Sequence, residues 1–126
     1  MDFDDDLIKL LTELAFFAGG CGMVAQSDAI ATGLEVMRPD SEGPHLVRAI
    51  SRLNQNNAEL AERILREQAL KAQPDSSMAK AFLGVALHMQ GRLNERDNTL
   101  KEVIAINDDE DAVRIAHDLL GSPAPA

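Results

Sequence analysis

Interruptions in this chain fall at a fixed interval. Pro39 and Pro74 stand 35 residues apart, and the loop residues Gly22, Asn57 and Gly91 are separated by 35 and then 34. The same spacing relates Ala15, Ile50 and Gly84, then Leu14, Ala49 and Leu83, then Ala18, Leu53 and Leu87. One period shared by several residue classes marks stacked supersecondary units, each burying its apolar face against the next. A helical bundle with a chance spacing is the alternative.

Within each interval the apolar residues recur every three or four positions, as an amphipathic helix requires. Seven such segments follow one another, carried by Leu7, Leu11 and Leu14; Ile30, Leu34 and Met37; Leu46, Val47 and Ile50; Leu60, Ile64 and Leu65; Phe82, Leu83 and Leu87; Leu100, Val103 and Ile104; and Val113, Ala116 and Leu120. Alanine and leucine dominate the apolar set and neither Trp nor Tyr occurs, a palette suited to helices rather than sheets. The breaks are short: Gly19 to Gly22, RPDSEGP, NQNN, QPDSS, QGR and NDDED. Pro39 and Pro74 end helices because proline cannot donate to the hydrogen-bond ladder, and Asp75, Ser76 and Asp108 are candidate N-caps. Short loops between helices imply antiparallel hairpins.

Charge narrows the partners. Twelve Lys and Arg against 21 Asp and Glu give a formal charge of -9, which repels nucleic-acid phosphates and anionic lipid surfaces. No apolar run is long enough to cross a bilayer, and the start MDFDDD lacks the positive flank of a secretory signal, so a cytoplasmic location is expected. Cys21 is the single cysteine and reads as a plain thiol.

Catalytic patterns do not emerge. His45, His88 and His117 are far apart in sequence, and none has a second ligand at metal spacing except His117 with Asp118, which point to different faces of a helix. The run Asp108 to Asp111 lacks the alternation and central glycine of a calcium loop and suits a helix N-terminus instead. The glycines at 19, 20 and 22 lack the Lys-Ser/Thr ending and preceding strand of a phosphate loop. The expectation is a protein with no enzymatic activity, no metal and no cofactor.

A unit of 34 residues with Leu83-Gly84 in its first helix, Leu87 three residues later, the turn glycine Gly91 and a closing proline resembles the tetratricopeptide repeat. The resemblance implies an all-α, right-handed superhelix of about three antiparallel helix hairpins plus a C-terminal capping helix. Its units fall at about 8–42, 43–76 and 77–110, with the cap at 111–120 closing a single domain over 1–120 and a flexible tail at 121–126. Gly84 would sit where the two helices of a hairpin press closest, and Gly91 would supply a positive backbone angle, a role Asn57 fills in the preceding unit. The departures are specific. The large aromatic expected in the first helix is replaced by Leu11, Leu46 and Lys80, and the small residue expected early in the second helix is Ser27, Ala61 and then Arg96.

First helices of such hairpins line a concave groove that accepts peptides or helices. Carrying the groove positions over gives Thr12, Phe16 and Gly19, then Val47, Ser51 and Asn54, then Met78, Ala81, Val85 and His88, with Phe17, Phe82 and Met89 beside them. Soft apolar side chains of this kind adapt to an incoming helix. The alternative for Phe82 and Val85 is plain core. The Lys-Asn-Arg clamp with which some tetratricopeptide domains hold a chaperone's carboxylate end is mostly missing, since its positions offer Lys9, Thr12, Phe16, Arg48 and Ser51.

The stretches ILREQALKAQPDSSMAKAFLGVALHMQGR at 64–92 and LKEVIAINDDEDAVRIAHDLL at 100–120 are similar to the short tetratricopeptide-like proteins of the bacterial type III secretion apparatus of Hrp and Ysc type. That resemblance implies a cytoplasmic, non-catalytic chaperone or adaptor that cradles an amphipathic helix of a needle or other secreted subunit, sometimes with a small helical co-chaperone. The client contacts are then expected at Phe16, Val47, Met78, Phe82, Val85 and Met89. The alternatives are a scaffold that self-associates into a homo-oligomer and a regulatory adaptor unrelated to secretion.

Overall fold

Capping chemistry sets where the helices begin and end. The computed structural model describes Leu14 and residues 22–125. Over the second range it has six helices: α1 Val24–Met37, α2 Gly43–Asn54, α3 over 58–72, α4 Ser77–Met89, α5 Leu93–Ile106 and α6 Glu110–Leu119. Among the described residues there is no strand. The helix expected from Leu7 to Ala18, apart from Leu14, lies outside them, as do Lys9, Thr12, Phe16, Phe17, Gly19 and Cys21. Pro39 and Pro74 each stand two residues beyond a helix end, at Met37 and Ala72. Of the candidate caps, Ser76 is the one used at α4, where its hydroxyl accepts the Ala79 N–H at 3.1 Å. At α6 the cap is Asp109 rather than Asp108. Its carboxylate accepts from the N–H groups of Asp111 and Ala112, while Asp108 accepts a hydrogen bond from the Ser77 hydroxyl instead.

The turns correct the repeat register by one residue. In the α2–α3 turn the left-handed residue is Asn56, at φ 61°, not Asn57. Asn57, at φ -112°, caps α3 by accepting the Leu60 N–H. Asparagine suits both roles, so a run of NQNN does not say which residue takes which. The Asn56 and Asn57 N–H groups donate to the carbonyls of Leu53 and Arg52 at 3.0 and 2.8 Å. At the α4–α5 turn, Gly91 at φ 72° and Arg92 donate to His88 and Leu87, both at 3.0 Å. The two turns are therefore the same C-terminal helix motif, 35 residues apart. Gly22, at φ 79°, precedes Asn56 by 34. In this register the counterpart of Gly84 is Ala49, not Ile50, and both small residues are buried.

Inside α3 the helix widens into a π-turn at Leu65–Ala69. The register explains it. Ser27, Ala61 and Arg96 all lie five residues after a left-handed turn residue, and all are buried. Further along, Leu34 and Val103 lie 12 residues after theirs, but the buried Ala69 lies 13 after Asn56. α3 thus carries one extra residue between Ala61 and Ala69. The π-turn absorbs it, leaving Gln68 in solvent and returning Ala69 to the core.

Each helix packs on the next in sequence, and packing that skips one helix joins α2 to α4 and α4 to α6. One apolar cluster unites α2, α3 and α4 through Leu46, Ala49, Ala61, Leu65, Leu83 and Leu87, among others. A second unites α4, α5 and α6 through Ala81, Leu100, Val103, Ala112 and Ala116. α4 belongs to both. Its Gly84 has the close approach expected of it: a Cβ there would lie 2.9 Å from the Cγ of the fully buried Leu100. α1 closes on α2 through Ala31 and Val47, and salt bridges of 2.8 Å join Arg48 to Glu35 and Arg52 to Asp28.

Candidate protein-binding face

α4 is the helix with most apolar side chains to place. One side must enter the α3 contact and another the α5 contact, which takes Ala79, Ala81, Leu83, Gly84, Ala86 and Leu87 into the interior. What remains is a row at intervals of four, three and four residues: Met78, Phe82, Val85 and Met89. That spacing keeps all four on one helix face. All are half-buried. Met78 packs against both clusters and Phe82 against the first, whereas Val85 and Met89 belong to no core cluster among the described residues.

Four of the six expected contact residues are thus brought together on α4. Val47 is elsewhere, 1% exposed in the α1–α2 contact beside Ala31 and Ile30, and Phe16 lies outside the described residues. Ser51 and Ala81, also expected to face a groove, are buried. In the corrected register the α2 counterparts of Val85 and Met89 are Ile50 and Asn54. Ile50 is half-buried and, among the described residues, in no cluster; it is the repeat counterpart of a row residue, although the sequence spacing matches it to Gly84. Its 35-residue distance from Val85 is the signal that could have found it.

Met89 also borders a hollow of about 420 Å³ between the two turns, together with Gln90 and Arg92 on one side and Asn56, Asn57 and Glu59 on the other. A polar network backs it. The Glu62 carboxylate of α3 accepts from Gln90 Nε2 at 3.0 Å, Arg92 Nη1 at 2.6 Å and Arg66 Nε at 2.8 Å. Burial pushes the Glu62 carboxyl up, but those hydrogen bonds outweigh it and hold the group below the ordinary carboxylate range.

The second polar cluster was not foreseen. Arg96, noted in the sequence only as a departure from the small residue of the repeat, is 1% exposed. Its guanidinium donates from Nε to Asp97 Oδ1, and from Nη1 to His88 Nδ1 and to the Ser122 carbonyl, each at 2.9 Å. Guanidinium has no lone pair to offer, so His88 Nδ1 must be the acceptor and its proton must sit on Nε2. Asp97 also accepts the Gly121 N–H at 3.3 Å, and the Arg96 hydrogen bond holds its carboxyl below the ordinary range. The segment expected to be a flexible tail therefore begins with two residues fastened to α5.

Among the described residues, no group of three or more His, Cys, Asp or Glu is placed to hold a metal ion, and no helix is long and apolar enough to cross a membrane. No protein-family model matches the chain, and no curated protein matches it significantly.

Proposed function

We propose that this protein is a non-catalytic helix-binding adaptor or chaperone of tetratricopeptide-like architecture, acting in the cytoplasm on a subunit of a type III secretion apparatus. The observation that carries the reading is the half-buried apolar row on α4, which ends in two residues, Val85 and Met89, outside the core clusters of the described residues. The pairing of α2 with α4 and of α4 with α6 supports a stack in which alternate helices share one side, as a superhelix of hairpins requires. An amphipathic client helix laid along such a row buries its own apolar face, which is what an assembling subunit needs before export.

The test is a titration of the full chain with a synthetic peptide carrying the amphipathic C-terminal helix of a needle subunit, read by fluorescence anisotropy. Val85→Glu and Met89→Glu are expected to weaken binding tenfold or more while leaving thermal unfolding nearly unchanged. Absence of binding by the unaltered chain, or variants that lose stability without losing affinity, overturns the reading.

A further inference from the structure

We propose that α6 and the three residues after it, Leu120 to Ser122, form a detachable strap, closed over the third hairpin by the buried guanidinium of Arg96. The apolar hold of α6 is thin. Its fully buried side chains are two alanines, Ala112 and Ala116, with Val113, Ile115, Leu119 and Leu120 only partly covered. A helix of ten residues does not persist in water by itself, so α6 depends on what fastens it.

The fastening is polar and lies at both ends. Where α6 begins, the Ser77 hydroxyl of α4 donates to Asp108. Where it finishes, Arg96 donates to the Ser122 carbonyl and Asp97 accepts the Gly121 N–H. Hairpin packing does not require an arginine here, because Ser27 and Ala61 occupy the same register position and are just as buried. The third hairpin differs from the others in what it must retain. A buried guanidinium is costly unless its donors are met, and here the acceptors come from three places: His88 on α4, Asp97 on α5 and the strap itself. Detaching Ser122 removes one of the guanidinium's protein acceptors, so the Arg96 hydrogen bond favours the closed strap. The hinge is the stretch around Asn107, held in the left-handed conformation at φ 51°.

Opening uncovers part of the second cluster, Ala81, Leu100 and Val103, and the side of Met78 that packs there; Met78 stays held by the first cluster and stands at one end of the α4 row. That the freed surface lengthens the client-binding row rests on the function proposed above; the strap itself does not.

Amide hydrogen exchange of the full chain separates the two. In Arg96→Met, protection of the α6 amides is expected to fall tenfold or more while α2 and α3 change less than twofold. Asp97→Asn, which weakens the lock from a partly exposed position, is expected to lower α6 protection about threefold, and it supplies the answer if Arg96→Met does not fold. Unchanged α6 protection in the variants, or an equal loss across all helices, overturns the strap. Failure of the needle-subunit peptide to bind would leave these exchange results untouched.

Discussion

Gly84 is a residue whose absent side chain does something. Glycine costs about 1 kcal/mol against alanine in a helix interior, yet any Cβ at this position meets Leu100, which is fully buried and has little room to yield. Gly84→Val is therefore expected to destabilise the fold by about 2–3 kcal/mol through overpacking. In a Leu100→Ala background, where the cavity admits the new methyl groups, the same change should cost at least about 1 kcal/mol less. Urea unfolding of the four chains measures this, and additive costs would mean the two positions do not press on each other. Carboxylates make a second residue-scale prediction. Glu62 and Asp97 are held below the ordinary range in the folded chain, so their contribution is complete above the unfolded-state value and is lost as the pH falls through the folded one. The urea midpoint should decline as the pH drops below about 5. Glu62→Gln is expected to lower stability at neutral pH and to flatten that decline, and an unchanged slope would show that the network with Gln90, Arg66 and Arg92 has no energetic weight.

At the scale of the element, α3 makes a prediction that its neighbours do not share. If its π-turn is an accommodated insertion, deleting Gln68 should convert 58–72 into regular α-helix with Ala69 still facing inward, changing stability by no more than about 1 kcal/mol. The matching deletion in α5, of exposed Glu102, has no surplus residue to remove. It rotates Val103 out of the second cluster and should cost more than about 2 kcal/mol. Thermal unfolding of the two deletions separates an insertion from an ordinary helix. Helix positions were largely legible in the sequence, because the apolar period and the breaks at Pro39, Pro74 and Gly91 are local signals. The extra residue of α3 was present in the 35-residue spacing but could not be placed, since a spacing counts residues without saying which helix contains the surplus. Nor did it say which asparagine of NQNN is left-handed, and from that came the one-residue slip that matched Gly84 to Ile50.

Among the described residues, two large apolar clusters share one helix, α4, and a smaller third cluster joins α1 to α2. The row on α4 was legible because it is what remains after the buried positions of a single amphipathic helix are assigned. Val47 was misleading for the opposite reason: whether a valine on α2 faces a groove or α1 depends on packing between helices, which no local pattern contains. Arg96 was legible only as an exception, since its acceptors lie eight residues before it, next to it and 26 residues after it. Because each cluster is built mainly from neighbours in sequence, the chain should behave as a short linear array whose parts loosen separately. Leu65→Ala empties the first cluster and Leu100→Ala the second, each for about 2–4 kcal/mol. Hydrogen exchange should then place the loss in α2 and α3 for Leu65→Ala and in α5 and α6 for Leu100→Ala, with α4 weakened by both. Uniform loss in either variant would mean that α4 welds the two clusters into a single cooperative unit, and that α6 has no freedom of its own.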